Sequence, residues 1–576
     1  MNFLNFAVSI SAIITLIWFH GYHYRPEYLS PHYLYLHICL GFFLLHYIFR
    51  AVYYGDFRKY LGDNKVEYLL LLFLLLEFLL NRFLFFSFFQ VILFLMGVEN
   101  HSHVFVFSLH ICLLILVGIE MGKASARSTI WKLSPPLLFI FSFLVLVMIG
   151  SSLFMLPEMT ADGKGMNLVD ALFTSVSANC VTGLIVVDTG SYFSTKGEML
   201  ILFFMQLGGL NITAFASYFI ARYHAVKTSQ RQDAAVMDLM QSGALERSDV
   251  LKLLKRILLL AIILETIGAI VIFFLMGDHG SFSGIRERIL FSVFHSVSAF
   301  NNAGFSLFTD GLIHPEVVNN YGLHIVLAVL IVLGGLGFTT LWDLLFLKRN
   351  TNGKISGRKF KLDGIISIAM ALILVTAGAL LFFAFEHQSV LKGHSGMATF
   401  TKSIFQSITA RTAGFNTVEI GQLTVGGLIL LMLLMFIGGG SGSTAGGIKT
   451  STFFILLHNL GTKLKLTRKK SRLYTTGMLK KARDIALYSL MVVVFGTILL
   501  SFAEPDKPLL DLFFEEFSAY GTVGLSTGIT EDLSDAGKII VMTTILIGRV
   551  GPVTLAYTMV SRPVKPKLEE QGFMIG

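Results

Sequence analysis

Charged side chains are scarce in this sequence. Lys, Arg, Asp and Glu make up 14% of the 576 residues, whereas soluble domains have about 25%. Hydrophobic residues make up 54%, and phenylalanine alone occurs 53 times. This composition excludes an ordinary soluble protein and predicts an integral membrane protein with several spans.

Cysteine is also scarce. The three cysteines, Cys39, Cys112 and Cys180, lie in or beside apolar segments, which excludes a disulfide framework and a cysteine metal site. The chain lacks paired acids, Ser/His pairs and metal-ligand spacing, and no dinucleotide fingerprint follows a strand pattern. We therefore predict no enzyme activity and no organic cofactor. The excess of nine positive charges is typical of cytoplasmic loops and predicts no nucleic-acid partner.

The first 130 residues hold about four apolar spans of membrane length, at 3–20, 33–54, 66–97 and 104–121. The N-terminus lacks a basic region and a cleavage site, so we expect a retained helix. The third span is either one tilted helix or two short pieces. The fourth span has no row of arginines, which disfavours a voltage sensor, and the role of this N-terminal block (1–130) stays unassigned.

An internal repeat is the strongest pattern of the chain. The segments SANCVTG, SAFNNAG, TARTAG and SAYGTVG end at glycines spaced by about 110 to 120 residues, too regular for chance. A bulky apolar residue follows each glycine, an amphipathic stretch precedes it, and another glycine recurs farther on. The four shared glycines are Gly183, Gly304, Gly414 and Gly524.

The repeat defines the domain organisation. Each copy has a long apolar span, a shorter half-apolar stretch, a glycine segment and a second long span. We place the copies at 131–224, 250–349, 360–460 and 480–562, with a tail at 563–576. The basic connectors between copies are predicted to be cytoplasmic, so the glycine segments dip in from outside. The fold class is all-α integral membrane, with four pseudo-symmetric M1–P–M2 repeats around a central pore.

The four dips predict a cation pore. Non-helical backbone cannot face lipid, so it must be buried in protein or line a water-filled path. Glycines allow the unusual φ/ψ that turns carbonyls toward one axis, and rings of carbonyls replace the hydration shell of a cation. The short helix before each dip would aim its negative end at the path.

The segment Thr522-Val523-Gly524 resembles the TVG of potassium-channel filters. One chain with four such degenerate units resembles the Trk/Ktr/HKT family of potassium uptake proteins, over about 136–560. In that family a glycine at the first filter position, here Gly183, implies K⁺ selectivity. The resemblance implies K⁺ bound at twelve filter residues: Val181, Thr182, Gly183, Asn302, Ala303, Gly304, Thr412, Ala413, Gly414, Thr522, Val523 and Gly524.

A glycine-rich loop interrupts the last span of the third repeat. The stretch FIGGGSGSTAGGIKTS misses a Walker A motif, since Ile448 stands where the lysine belongs. Its glycines disfavour a helix by about 1 kcal/mol each, so we predict a broken helix. The resemblance implies that this loop gates the pore, with these residues: Gly438, Gly439, Gly440, Ser441, Gly442, Ser443, Thr444, Ala445, Gly446 and Gly447. Arg549, at equivalent depth in the fourth repeat, would repel K⁺, hold the loop or form a simple salt bridge.

The resulting hypothesis is a K⁺-selective, channel-like uptake subunit in the plasma (inner) membrane. Na⁺-coupled K⁺ symport and a secondary transporter of another solute are alternatives, and Na⁺ would then be a coupling or regulatory ion. The resemblance also implies two protein partners, namely a second copy of the chain and a nucleotide-binding regulatory subunit on the basic cytoplasmic loops.

Overall fold

The computed structural model describes residues 2–22, 29–53, 135–210, 247–277, 284–345, 362–463 and 476–560, with five single positions between them (Leu69, Leu72, Phe73, Phe282 and Tyr474). Over these residues the regular structure is helical, apart from two isolated bridges. The predicted span at 104–121, the predicted span at 66–97 apart from Leu69, Leu72 and Phe73, and most of the basic connectors lie outside the described residues.

The helices are numbered in chain order. They are α1 (Asn2–Gly21), α2 (Leu29–Tyr53), α3 (Pro135–Phe154), α4 (Leu168–Asn179), α5 (195–210), α6 (Arg247–Met276), α7 (Ile285–Asn301), α8 (Tyr321–Gly335), α9 (Phe338–Leu345), α10 (Leu362–Glu386), α11 (Gly396–Thr409), α12 (Val425–Phe436), α13 (Thr450–Lys463), α14 (Thr476–Ala503), α15 (Leu509–Gly521) and α16 (Asp535–Val560). One-turn helices lie at Pro157–Met159, Thr189–Tyr192, Gly311–Ile313 and Ile420–Gln422.

Contacts divide the chain into two units. The first is Met1–Leu138 with the short segments Leu156–Glu158 and Gly163–Gly165, and the second is the remainder. In the first unit, α1 and α2 occupy the first two predicted spans and bury a small apolar cluster. That cluster consists of Ala12, Leu16, Leu36, Cys39 and Phe43.

In the second unit, a long helix, a short helix, a glycine segment and another long helix follow one another four times. Two of the short helices start at side-chain caps that satisfy free backbone N–H groups. Asn167 accepts from Asp170 N at the start of α4, and Ser395 accepts from Ala398 N at the start of α11. Each short helix ends within five residues of its glycine, so its negative end lies beside the glycine segment.

Two of the closing long helices are interrupted. The break between α12 and α13, over 437–449, confirms the helix interruption predicted from the glycine-rich loop. The break between α8 and α9 is not indicated by the sequence pattern. It occurs at Gly337, whose φ of 91° is left-handed, a conformation that glycine adopts without steric cost.

The apolar character predicted from composition is present on the helix surfaces. Among the described residues, three helical stretches are long and apolar enough to cross a membrane, namely Lys255–Met276, Asp363–Glu386 and Thr476–Ala503. Each carries a large apolar side chain that is at least 70% exposed: Phe274, Leu380 and Phe502. Surfaces of this kind fit a lipid environment, where outward apolar faces carry no cost.

Candidate functional site

The four repeat glycines lie in a closed ring. A methyl group added to any of them would collide with a backbone carbonyl of the next segment, and the fourth segment closes on the first. The contacts run in sequence around the ring: Gly183 to the Ala303 carbonyl, Gly304 to the Ala413 carbonyl, Gly414 to the Val523 carbonyl, and Gly524 to the Thr182 carbonyl. Because only glycine permits this approach, backbone oxygens from all four segments come together.

The ring has a repeated unusual backbone. All four glycines have φ between 73° and 95°. Two residues before each glycine lies a buried non-glycine residue that is also left-handed: Val181 (φ 54°), Asn302 (60°), Thr412 (76°) and Thr522 (48°). This conformation costs such residues about 1–2 kcal/mol each. Strain that recurs at the same place in four repeats indicates a functional backbone shape.

Serine side chains brace three of the segments. Ser177 Oγ accepts from Gly183 N (3.1 Å) and donates to Leu184 O (2.7 Å). Ser298 Oγ donates to Phe305 O (2.8 Å), and Ser518 Oγ accepts from Gly524 N (3.1 Å). These serines are not among the predicted site residues, although each one opens an SA pair six positions before its glycine.

The third segment is braced differently. Ile408 stands six positions before its glycine, so no hydroxyl is present there. The Thr409 carbonyl instead accepts from Ala413 N (2.9 Å) and Gly414 N (3.4 Å). The backbone therefore replaces the serine in this repeat, while the left-handed residue and the glycine keep their places.

The glycine-rich loop lies against the ring and is buried throughout 437–449. A methyl group on Gly446 would collide with Thr522 Oγ1 and would lie 2.6 Å from the Gly521 carbonyl. The loop also occupies the break between α8 and α9, because Gly440 N donates to Gly335 O (2.8 Å) and Phe338 N donates to Gly442 O (3.3 Å). The unpredicted break in the second repeat therefore receives the loop of the third.

Three buried cationic side chains hold carbonyls of this loop. Arg549 Nη1 donates to Thr444 O (2.6 Å) and to Thr522 Oγ1 (3.4 Å). Arg411 Nη2 donates to Gly438 O (3.2 Å), and Lys449 Nζ donates to Ala445 O (2.6 Å). All three side chains are at most 8% exposed.

These contacts show which groups the three basic side chains bond to. Arg549, predicted at this depth, bonds to a carbonyl and a hydroxyl oxygen rather than to a carboxylate. Arg411, which directly precedes Thr412, bonds to the Gly438 carbonyl of the loop. Lys449 directly follows Ile448, which stands where a Walker A motif has its lysine. The sequence feature that identifies Lys449 as a candidate site residue is a charged side chain inside an apolar span.

Four acidic side chains lie in the segments that follow three of the ring glycines, and they are called the outer cluster because we predict this end to face outward: Asp188, Asp310, Glu531 and Asp532. Partial burial raises the pKa of Glu531, and the nearby charges of Asp188, Asp532 and Asp310 raise it further. Thr309 Oγ1 donates to Asp188 Oδ2 (2.9 Å), which joins the post-glycine loops of the first two repeats. These four carboxyl groups create a negative potential, which attracts cations.

Neutralising this outer cluster is expected to slow cation entry. We expect D310N/E531Q to lower uptake at subsaturating cation and low ionic strength by up to about tenfold, and added salt to shrink the difference. Because the pKa of Glu531 is raised, this side chain loses its charge as pH falls through the raised value. We therefore expect wild-type uptake to begin falling at a pH above the pKa of a free glutamate side chain. D535N, an exposed acid outside the cluster, is the control. Equal loss in D535N would contradict the prediction.

Sequence comparison identifies the family. A profile of the TrkH family, described as a cation transport protein, matches residues 138–565. The chain belongs to the TrkH cation transport family. This confirms the resemblance drawn from the four glycine segments, and it makes the protein a multi-pass membrane transporter rather than an enzyme.

Relatives of this TrkH-family chain cover most of its length. The Ktr system potassium uptake protein B of Bacillus subtilis is 35% identical over 435 residues, which is 74% of this chain and 93% of the relative. The potassium/sodium uptake protein NtpJ of Enterococcus hirae is 34% identical over 464 residues, or 77% and 98%. The crystal structure of the potassium transporter TrkH from Vibrio parahaemolyticus matches with a TM-score of 0.58 at 19% identity, covering 86% of this chain and 97% of that one. This structural likeness supports the fold.

Proposed function

We propose that this chain is the K⁺-selective, ion-translocating subunit of a Ktr/Trk-type uptake system. Four M1–P–M2 repeats surround one central pore, and the twelve predicted filter residues line its narrow part. The observation that carries the proposal is the closed ring of glycines, in which each segment approaches the carbonyl of the next. The similarity to the Ktr system potassium uptake protein B of Bacillus subtilis also supports the proposal.

The filter acts through its backbone. Left-handed residues at two positions of each segment turn successive carbonyls toward the axis, where they replace the hydration shell of a dehydrated K⁺. The negative ends of α4, α7, α11 and α15 add a favourable potential for a cation. No side-chain charge is needed inside the filter, which leaves room for several ions to move in file.

The glycine-rich loop is the proposed gate. It fills the space next to Thr522 and is held by Arg549, Arg411 and Lys449. While Arg549 remains at the loop, its charge also opposes the passage of K⁺. Displacement of the loop, with loss of these bonds, would open the path.

Sodium transport is the second candidate, because one relative is named a potassium/sodium uptake protein. Ion flux into liposomes separates the candidates. We expect the purified protein to carry K⁺ and Rb⁺ far faster than Na⁺ or Li⁺, and we expect the gene to restore growth of a K⁺-uptake-deficient bacterium at low K⁺. Equal Na⁺ and K⁺ flux, or K⁺ flux that requires a Na⁺ gradient, would favour the second candidate. Flux of an organic solute without K⁺ flux would overturn the first.

The first filter glycine offers a test of selectivity. We expect Gly183→Ser to reduce the ratio of K⁺ to Na⁺ flux by about tenfold or more, because a side chain there collides with the Ala303 carbonyl and changes the ring, and a 1.4 kcal/mol change alters a ratio tenfold. Gly393→Ser is the matched control, since Gly393 is also left-handed (φ 81°) but has open space around it. An unchanged ratio in Gly183→Ser would place selectivity elsewhere.

Two protein partners complete the proposal. A cytoplasmic nucleotide-binding subunit would dock on the basic connectors, and a second copy of this chain would form a homodimer. The naming of relatives as parts of a Ktr system supports the first partner. Cross-linking in native membranes tests both, and a monomer that gates fully without any other protein would contradict them.

A further inference from the structure

One structural position is shared by all four repeats but is occupied differently in the fourth. The first long helix of each repeat has a glycine against which a side chain of the short helix packs, so a methyl group there would collide with it. The pairs are Gly150 with Ser175, Gly268 with Ser296, Gly378 with Ser407, and Gly496 with Glu516. Three repeats place a serine there, and the fourth places a glutamate.

The three serines all make the same bond. Each hydroxyl donates to the carbonyl three residues before the paired glycine: Ser175 to Val147 O (2.8 Å), Ser296 to Glu265 O (2.6 Å) and Ser407 to Val375 O (3.0 Å). This bond joins the short helix of the repeat to its first long helix. The position therefore has a structural role that a hydroxyl donor fulfils.

Glu516 does not fulfil this role. The equivalent carbonyl in the fourth repeat, Val493 O, accepts instead from Thr497 Oγ1 (2.9 Å). Glu516 is 0% exposed, and the polar group that approaches its carboxyl is the Thr544 hydroxyl rather than a basic side chain. The Thr544 hydroxyl of α16 borders the same space, 3.1 Å from the point where a methyl group on Gly496 would stand.

The charged groups around Glu516 do not neutralise it. Its own helix contributes Glu515, another acid, whose Oε1 accepts from Thr530. Of the elements packed on α15, α12 has no titratable side chain. The described titratable and charged side chains of the other two helices are Lys480, Lys481, Arg483, Asp484 and Tyr488 on α14, with Glu504 directly after it, and Asp535, Lys538 and Arg549 on α16. Lys538 pairs with Asp170, and Arg549 bonds to Thr444 and Thr522.

We propose that Glu516 is a proton-binding site at the junction of α14, α15 and α16. An ionised carboxylate in this position has no cationic partner, and such burial costs several kcal/mol. Among the residues that the structure describes, no group of three or more His, Cys, Asp or Glu side chains that could hold a metal ion is present. A proton requires no space and makes the group neutral.

The site is placed to regulate the proposed gate, and this step rests on the proposed function. Thr544, beside Glu516, lies on the same helix as Arg549 and five residues before it. Loss of the proton leaves a buried charge, which is relieved when water enters and α16 separates from α14 and α15. Movement of α16 weakens the bond from Arg549 to the loop, so K⁺ flux rises with pH.

Two variants test the site. Glu516→Gln keeps the shape but cannot ionise, and Glu516→Ser restores the residue of the other three repeats opposite Gly496. At saturating K⁺ and high ionic strength, where the charge of the outer acidic cluster is screened, we expect wild-type K⁺ flux in liposomes to rise severalfold as pH is raised. Under the same conditions we expect the flux of both variants to remain near the low-pH level at every pH. Retention of the wild-type pH profile by both variants would overturn the proposal.

A second readout does not depend on transport. We expect infrared spectra of the purified protein to show the C=O stretch of a protonated carboxyl group that disappears in Glu516→Gln and in Glu516→Ser. If that band is unaffected in both variants, Glu516 is not the proton site. If instead the band is lost as expected but no variant or wild-type protein carries K⁺, the proposed function fails and the proton site stands.

Discussion

Replacing Gly524 with alanine is expected to reduce K⁺ uptake by at least about thirtyfold. The added methyl group meets two obstacles. It must accept a φ of 95°, which costs about 1–2 kcal/mol, and it collides with the Thr182 carbonyl of the first repeat, where overpacking costs about 1–3 kcal/mol. Each 1.4 kcal/mol corresponds to a factor of ten. Uptake by a K⁺-deficient strain and flux in liposomes measure the loss.

Gly528 provides a matched control for this prediction. It lies four residues farther along the same loop and is also left-handed (φ 103°), but a methyl group there meets nothing within 4 Å. Gly528→Ala therefore carries the backbone strain without the collision, and we expect it to keep most of the uptake. Membrane abundance and the melting temperature of both variants separate loss of transport from loss of folding. Equal uptake by Gly524→Ala and Gly528→Ala would show that contact around the ring is not needed.

The periodic glycine pattern allows part of the fold to be predicted from the sequence. The four aligned glycines predict four equivalent segments, and the cluster Gly438–Gly447 predicts a broken helix, because both features depend on local backbone preference. The closure of the ring is different. It requires Gly524 to reach Thr182, more than 300 residues away in the chain, and no local preference encodes that approach. Only the fourfold repetition itself indicates it.

The partners of the loop are the least predictable part of the site. Its hydrogen bonds use backbone carbonyls, which every residue has, so the sequence does not show which carbonyl Arg411 or Lys449 will bind. The break at Gly337 is equally hidden, since Gly334, Gly335 and Gly337 also fit a packing contact between helices. The sequence does show that a lysine and two arginines lie at membrane depth. Because charged side chains are energetically unfavourable there, they indicate a functional site.

Bonds from buried side chains attach the glycine-rich loop firmly to the surrounding repeats. Arg549 joins it to the fourth glycine segment, and Arg411 joins it to the third, next to Thr412. Thr444 Oγ1 also donates to Gly334 O (3.3 Å) in the second repeat. Loop displacement must therefore break bonds to three repeats, and the resting state is expected to be closed.

Arg549→Met is accordingly expected to raise K⁺ flux by about tenfold or more. The variant removes a charge-assisted hydrogen bond to Thr444 O (2.6 Å), of a kind worth about 1.5–3 kcal/mol, and it also removes a positive charge from the proposed path. Both effects favour the open state. Flux through liposomes, compared at equal protein content, measures the increase.

Further variants distinguish the effect of the Arg549 hydrogen bond to the loop from the effect of its positive charge on K⁺. Arg549→Lys keeps the charge but loses the guanidinium geometry, so flux near that of Arg549→Met would assign the effect to the bond, and flux near wild type would assign it to the charge.

Deletion of Gly440–Ser443 should raise flux as well, and adding Arg549→Met to the deletion should add less than it does alone, because residues acting on one element are not additive. Lys538→Met is the control: it removes a charged bond, to Asp170 (2.6 Å), from the same helix away from the loop. An increase in Lys538→Met equal to that in Arg549→Met, or no increase in the deletion, would show that the loop does not close the pore.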